Sequence, residues 1–203
     1  MTLSTIGQYE VKHLVTGVVS TLDNFWKDKN CVVIFFRRWG CQMCRLYAKE
    51  LSDLQPILRK HDIDMIGVGL EDFGAQEFVD GKFFDGELYV DNSDKQIYKA
   101  MEFKRFNVIT ILASLLWADS RAVISKSRKL QVPGNLSGDT LQTGGALIVG
   151  KGGNLLYEFK QTGPADHLSN SKILEVLGLQ DDIPNLPKED PTAKPECTDE
   201  CTK

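Results

Sequence analysis

The run Cys31-Val32-Val33-Ile34-Phe35-Phe36 constrains the fold of this chain more than any other segment. Six consecutive apolar residues, rich in β-branched and aromatic types, read as a strand covered on both faces, because a half-exposed strand would alternate with polar residues. The run passes through Arg37-Arg38-Trp39-Gly40 into Cys41-Gln42-Met43-Cys44-Arg45. Beyond it Leu46, Leu51, Leu54, Ile57 and Leu58 recur at helical spacing, which predicts one long amphipathic helix from near Cys41 to near His61. A buried strand thus turns into a helix across a Cys-x-x-Cys pair.

The remaining segments extend this pattern. Residues 11–19 alternate around Gly17 and predict a small N-terminal hairpin at a sheet edge, while 22–26, opened by Thr21 and Asp23, reads as a short helix. Residues 65–70 and 87–90 read as strands separated by a polar helix at 75–80, an alternation that implies parallel pairing. Residues 94–130 read as helical with breaks and 132–145 as a loop rich in Gly, Asn, Ser and Thr. A hairpin at 146–149 and 155–159, then a helix at 167–177, would close the fold. From Gln180 onward Pro184, Pro187, Pro191 and Pro195 stand among charges with little to bury, so a disordered tail is expected over 180–203, after one domain over 1–179.

The 203 residues, 42% of them hydrophobic, suffice for one buried core, and a net charge of −4 leaves no surplus of Lys and Arg for nucleic acid. The most apolar window, 108–117, is about half the length of a membrane span and reads as a buried or interfacial helix. No basic stretch leads into a signal-length apolar run at the N-terminus, so the expected location is the cytosol. Thiols stay reduced there, and close cysteine pairs then argue for redox chemistry or metal rather than for a disulfide framework.

Two close pairs occur, Cys41/Cys44 and Cys197/Cys201, with Cys31 alone as a small core residue. Only the first pair lies within a folded element. Free N–H groups and the macrodipole at a helix start favour negative charge, and Arg37, Arg38 and Arg45 add positive potential. Comparable sites lower a thiol to a pKa of roughly 3.5 to 7.5, which makes Cys41 the candidate nucleophile. Cys44, one helical turn on, is placed to close a disulfide and takes the resolving role. Zinc needs four ligands, and only the tail pair could complete such a set, so no metal site is expected. Side-chain alternation at the strand end predicts that one of Arg37 and Arg38 faces the thiols and one faces away. His13, His61 and His167 stand at element ends, away from catalytic spacing. The acidic neighbours of Cys197 and Cys201 raise their thiols and dull them.

Beyond the dithiol, Glu77-Phe78-Val79-Asp80-Gly81, Gly86-Glu87-Leu88-Tyr89-Val90-Asp91, Phe103-Lys104-Arg105-Phe106-Asn107 and Gly134-Asn135-Leu136-Ser137-Gly138-Asp139-Thr140-Leu141-Gln142 form a distinctive set. With Arg37 to Cys41, they resemble the prostamide/prostaglandin F synthase family of the peroxiredoxin-like proteins, over about residues 6–179. Ordinary peroxiredoxins carry a Pro-x-x-x-Thr-x-x-Cys loop, and this chain has neither that proline nor that threonine. The resemblance implies an α/β, thioredoxin-like three-layer sandwich, a central mixed β-sheet flanked by helices. It also implies reduction of the prostaglandin H endoperoxide, or its ethanolamide, to the F-series product, with electrons from NADPH delivered through thioredoxin and no tightly bound cofactor.

On this reading Cys41 and Cys44 are catalytic, and Arg37, Arg38, Trp39, Gly40, Arg45, Gly144 and Gly145 bind substrate or support the site electrostatically. Thr143-Gly144-Gly145 stands where related folds carry a cis-proline, and the two glycines either admit substrate to the backbone or form a plain turn. Trp39, Met43 and the 108–117 segment are candidate walls of an apolar groove. A general thiol peroxidase and a redox-sensing regulator would use the same cysteines.

Overall fold

A computed structural model of the chain describes residues 2–114, 116–136 and 138–187. Helix α1 (Leu3–Gly7) leads into the hairpin β1 (Glu10–His13) and β2 (Val19–Thr21), whose turn uses Gly17 at φ 72°. A 3-10 helix, Leu22–Trp26, precedes β3 (Cys31–Phe36). Then come α2 (Gln42–Ser52), α3 (Gln55–Lys60), β4 (Asp64–Gly69), α4 (Ala75–Asp80), β5 (Glu87–Asp91), α5 (Gln96–Ala100), α6 (Val108–Ser114) and α7 (Ala118–Lys129). The hairpin β6 (Gly145–Gly150) and β7 (Asn154–Lys160) and helix α8 (Asn170–Val176) complete the fold.

The sheet runs β2-β1-β5-β4-β3-β6-β7. Strands β3, β4 and β5 are parallel, and the hairpins add antiparallel strands at both edges. The sheet is mixed and flanked by helices, the three-layer α/β sandwich expected. All six residues of β3 are buried, and period-two alternation divides them between two cores. Val32, Ile34 and Phe36 join Leu46, Leu51, Leu58, Phe78 and Ile173 on one face, whereas Cys31, Val33 and Phe35 join Leu22, Trp26, Ile97 and Tyr98 on the other. Each fully buried Leu, Ile or Phe contributes about 1.5–3 kcal/mol of apolar transfer free energy, so β3 is a firmly anchored element to carry the thiol loop. The Tyr98 hydroxyl lies 2.7 Å from the Phe36 carbonyl and 3.0 Å from that of Val68, clasping the carboxyl ends of β3 and β4 where the site begins.

Three expectations change. The single helix over 41–61 is two helices, because Pro56 has no N–H for the Ser52 carbonyl and sits instead in the first turn of α3. Of the two readings of 108–117, buried or interfacial helix, the buried one falls: α6 lies on the surface with Val108 and Ile109 exposed. The expected tail begins late, since Gln180–Asn185 forms a 3-10 helix whose Asp182 accepts from His61 Nε2 at 2.9 Å, while Ile183 and Leu186 pack on the first core. Cys197 and Cys201 lie outside the described residues.

Candidate active site

Strand β3 stops at Phe36, and the chain bends through Arg37-Arg38-Trp39-Gly40 to place Cys41 at the N-cap of α2, with extended dihedrals of φ −72° and ψ 119°. Trp39 fixes this bend. Its ring packs on Phe36 and Phe78 at centroid distances of 5.8 and 4.9 Å, and its indole N–H donates to the Glu71 carbonyl. The ring fills the space over Gly69 of β4, where an added Cβ would come within 2.0 Å of it. Only glycine leaves room for the tryptophan that aims the loop.

Cys41 and Cys44 are both free thiols, 5% and 1% exposed. The Cys44 side chain, hydrogen-bonding to the Cys41 sulfur, holds Cys41 well below the usual thiol range, and Arg37 and Arg38 assist against the opposing effect of burial. The same hydrogen bond, burial and the neighbouring anion push Cys44 well above it. In the reduced pair the surroundings thus favour the negative charge on Cys41 and the proton on Cys44.

Both arginines lower Cys41, and because the strand ends at Phe36, side-chain alternation does not extend to Arg37 and Arg38. Arg37 is 4% exposed, and its Nε and Nη1 have no hydrogen-bond partner among the described residues. Arg38 Nη1 donates to the Asn135 carbonyl at 2.6 Å. Arg45, fully buried, is committed elsewhere: Nε donates to the Trp39 carbonyl (2.9 Å), Nη1 to Pro133 (3.2 Å) and to the Glu77 carboxylate (2.8 Å), and the guanidinium lies 4.9 Å over the Phe83 ring. Arg45 braces the loop, and the leading charges on Cys41 are those of Arg37 and Arg38.

The 132–143 segment closes over the helix start. Gln42 Nε2 donates to the Val132 carbonyl (2.8 Å), Asn135 N–H to the Gly40 carbonyl (2.8 Å), and Asn135 Nδ2 to Glu77 (2.6 Å). Glu71 Oε1 accepts from the Asp139 N–H at 2.8 Å. Sequence reasoning gave Gln42, Glu71, Glu77 and Asn135 no role. The resemblance pointed at the segments holding Glu77 and Asn135, but only folding shows that they meet.

At Gly144 and Gly145 the place a side chain would take is filled by neighbouring backbone. A Cβ at Gly144 would stand 1.9 Å from the Phe35 carbonyl oxygen, and one at Gly145 would stand 2.1 Å from that of Phe159. Neighbouring strands take up the space the glycines leave. Trp39 and Met43 are core side chains rather than groove walls. Burial pushes the Cys31 thiol far up, in keeping with a core residue. The three histidines stand elsewhere: His13 on Glu87, His61 on Asp182, and His167 stacked on Tyr47 at 4.2 Å. Among the described residues no three His, Cys, Asp or Glu side chains gather as metal ligands.

A thiolate-thiol pair at the junction of a buried strand and a helix, on a mixed sheet closed by a hairpin and a helix, defines a thioredoxin-fold oxidoreductase of the peroxiredoxin-like class. The sequence profile of the AhpC/TSA antioxidant enzyme family matches residues 50–163, downstream of the dithiol. Peroxiredoxin Q of Xanthomonas campestris shares the fold with a TM-score of 0.57 at 12% identity, covering 89% of this chain and 94% of that one. Peroxidoxin BcpB of Mycobacterium tuberculosis does so with a TM-score of 0.56 at 14% identity, covering 86% and 92%. Among sequence relatives, the prostamide/prostaglandin F synthase of Bos taurus is 42% identical over 98% of this chain and 96% of its own length. That of Homo sapiens is 44% identical over 89% and 91%. The chain belongs to the prostamide/prostaglandin F synthase family.

Proposed function

We propose that the protein reduces the endoperoxide of prostaglandin H, or of its ethanolamide, to the corresponding F-series diol. The observation that carries this reading is the buried Cys41 and Cys44 dithiol at the start of α2, supported by relatives named prostamide/prostaglandin F synthase that match nearly the whole chain. The Cys41 thiolate attacks one oxygen of the weak O–O bond, forming a sulfur–oxygen bond and releasing the other oxygen as an alkoxide. Cys44, held protonated beside it, gives that alkoxide its proton. The Cys44 thiolate so formed attacks the Cys41 sulfur, closing the disulfide and expelling the second oxygen, which takes a proton from water. One peroxide bond and two thiols become two hydroxyls and one disulfide, so atoms and electrons balance. Arg37, with buried donors not otherwise used, suits the oxygen that becomes negative.

An external dithiol must then reduce the Cys41–Cys44 disulfide. Thioredoxin supplied by NADPH fills that role without a nucleotide site on this chain, and a reducing cytosol provides it. A second reading, a general peroxidase for hydrogen peroxide and small hydroperoxides, is favoured by the AhpC/TSA match. Anaerobic assays with thioredoxin, its reductase and NADPH, run in parallel on prostaglandin H and on hydrogen peroxide, separate the two. The endoperoxide reading expects a clear preference for prostaglandin H. Equal specific rates would transfer the assignment to the peroxidase, and no turnover of either would remove both.

A further inference from the structure

The chain-wide charge of −4 conceals a local reversal. Between residues 103 and 131 stand six basic residues, Lys104, Arg105, Arg121, Lys126, Arg128 and Lys129, against one acid, Asp119. Two of the six are engaged: Arg105 pairs with Asp139, and Lys126 with Glu50 at 2.9 Å. Lys104, Arg121, Arg128 and Lys129 form no ion pair among the described residues, and all four are exposed. Helix α7 sets its Ser120 and Ser127 side inward, with Val123 and Ile124 packed on the core, so Arg121, Ser125, Arg128 and Lys129 face outward.

The same stretch carries the largest exposed apolar side chains near the helix pair. Ile109 is 79% exposed, Leu116 75%, Val108 60% and Trp117 48%. These belong to α6 and the turn leading into α7, seven helical residues that are too short to span a bilayer. Apolar side chains ending in a tryptophan, followed by a helix face of unpaired cations, are the two components of interfacial membrane binding. The apolar part alone could suit many partners. The positive charge selects a negatively charged surface, against the balance of the rest of the molecule.

We propose that the outer face of α6 and α7 docks on an anionic lipid membrane, with Val108, Ile109, Leu116 and Trp117 entering the headgroup layer and Lys104, Arg121, Arg128 and Lys129 facing lipid phosphates. Helix α7 packs on α2 and continues into the segment that closes over Cys41, so docking there holds the dithiol next to the phase in which an apolar peroxide dissolves. The surface is independent of which peroxide is reduced.

Sedimentation with vesicles of phosphatidylcholine alone, or with phosphatidylserine added, tests this on the intact chain. The expected result is binding to the phosphatidylserine vesicles at low salt, at least about tenfold weaker on phosphatidylcholine and reversed by high salt. Because Trp26 and Trp39 are buried, a blue shift of tryptophan emission on adding vesicles would report Trp117 entering the interface in the unaltered protein. Ile109→Asp and the triple variant Arg121→Glu, Arg128→Glu, Lys129→Glu should each lose about tenfold or more in vesicle affinity. Both should keep thioredoxin-supported turnover of a soluble peroxide. Absence of binding to phosphatidylserine vesicles, or variants that bind them as tightly as the unaltered protein, overturns the proposal. Unchanged vesicle binding with impaired thioredoxin-supported turnover would also overturn it, assigning the face to the protein reductant; either result leaves the endoperoxide assignment standing on its own assay.

Discussion

At the scale of single residues, the site depends on one charge being held on one of two adjacent sulfurs. Neither burial nor helix position alone achieves that, since burial opposes the Cys41 anion, which the Cys44 hydrogen bond and two arginines favour. The lowered thiol sets the sign of the pH dependence: the reactive form exists above the Cys41 pKa and is lost as pH falls through it. Ultraviolet absorbance should therefore show one thiolate titrating well below the ordinary thiol value of about 8.5. In Cys44→Ala that inflection should move upward, because the principal donor is lost. Arg37→Ala should raise the Cys41 inflection by about one unit or more; an unmoved inflection would remove Arg37 from the site. Cys41→Ser should abolish turnover, and Cys44→Ser should stop after one attack, leaving an oxidised or mixed-disulfide Cys41 visible by mass spectrometry.

At the scale of elements, a strand of six buried residues turns sharply into a helix, and Trp39 seated over Gly69 fixes the turn. Gly69→Ala should destabilise the fold by about 1–3 kcal/mol in a denaturant titration, because the ring has Phe36 and Phe78 against it and cannot give way. The strand, the turn and the dithiol were legible because each is signalled by neighbours in sequence: apolar run, glycine, Cys-x-x-Cys. The helix break at Pro56 was equally local, and apolar periodicity outweighed it wrongly, since Leu54, Ile57 and Leu58 are buried on both sides of the break. What stayed illegible was non-local. That Arg45 spends itself on Trp39, Pro133 and Glu77 depends on a loop about ninety residues away. That Gly144 and Gly145 serve strand packing depends on the Phe35 and Phe159 carbonyls. The exposure of α6 was hidden because periodicity cannot tell an apolar helix covered by its own chain from one left open.

At the scale of the molecule, the last described turn is fastened back onto α3 through Asp182, with His61 first and Lys60 next holding its carboxyl below the usual carboxylate range. A depressed carboxyl stabilises the fold in full above its unfolded value of about 3.9 and loses that contribution as pH falls through the folded value. Asp182→Asn should loosen residues 180–187 at neutral pH, seen as faster amide exchange there with little change in β3; slow exchange retained in the variant would remove the clasp. The division into two cores has a consequence for oxidation. Cys31 projects from the face of β3 opposite the one that holds Cys41 and Cys44, so the sheet stands between them as a bulkhead. Oxidant can run the dithiol through cycle after cycle while the third thiol stays out of reach, and disulfide mapping after peroxide treatment should find Cys31 unbridged to either partner.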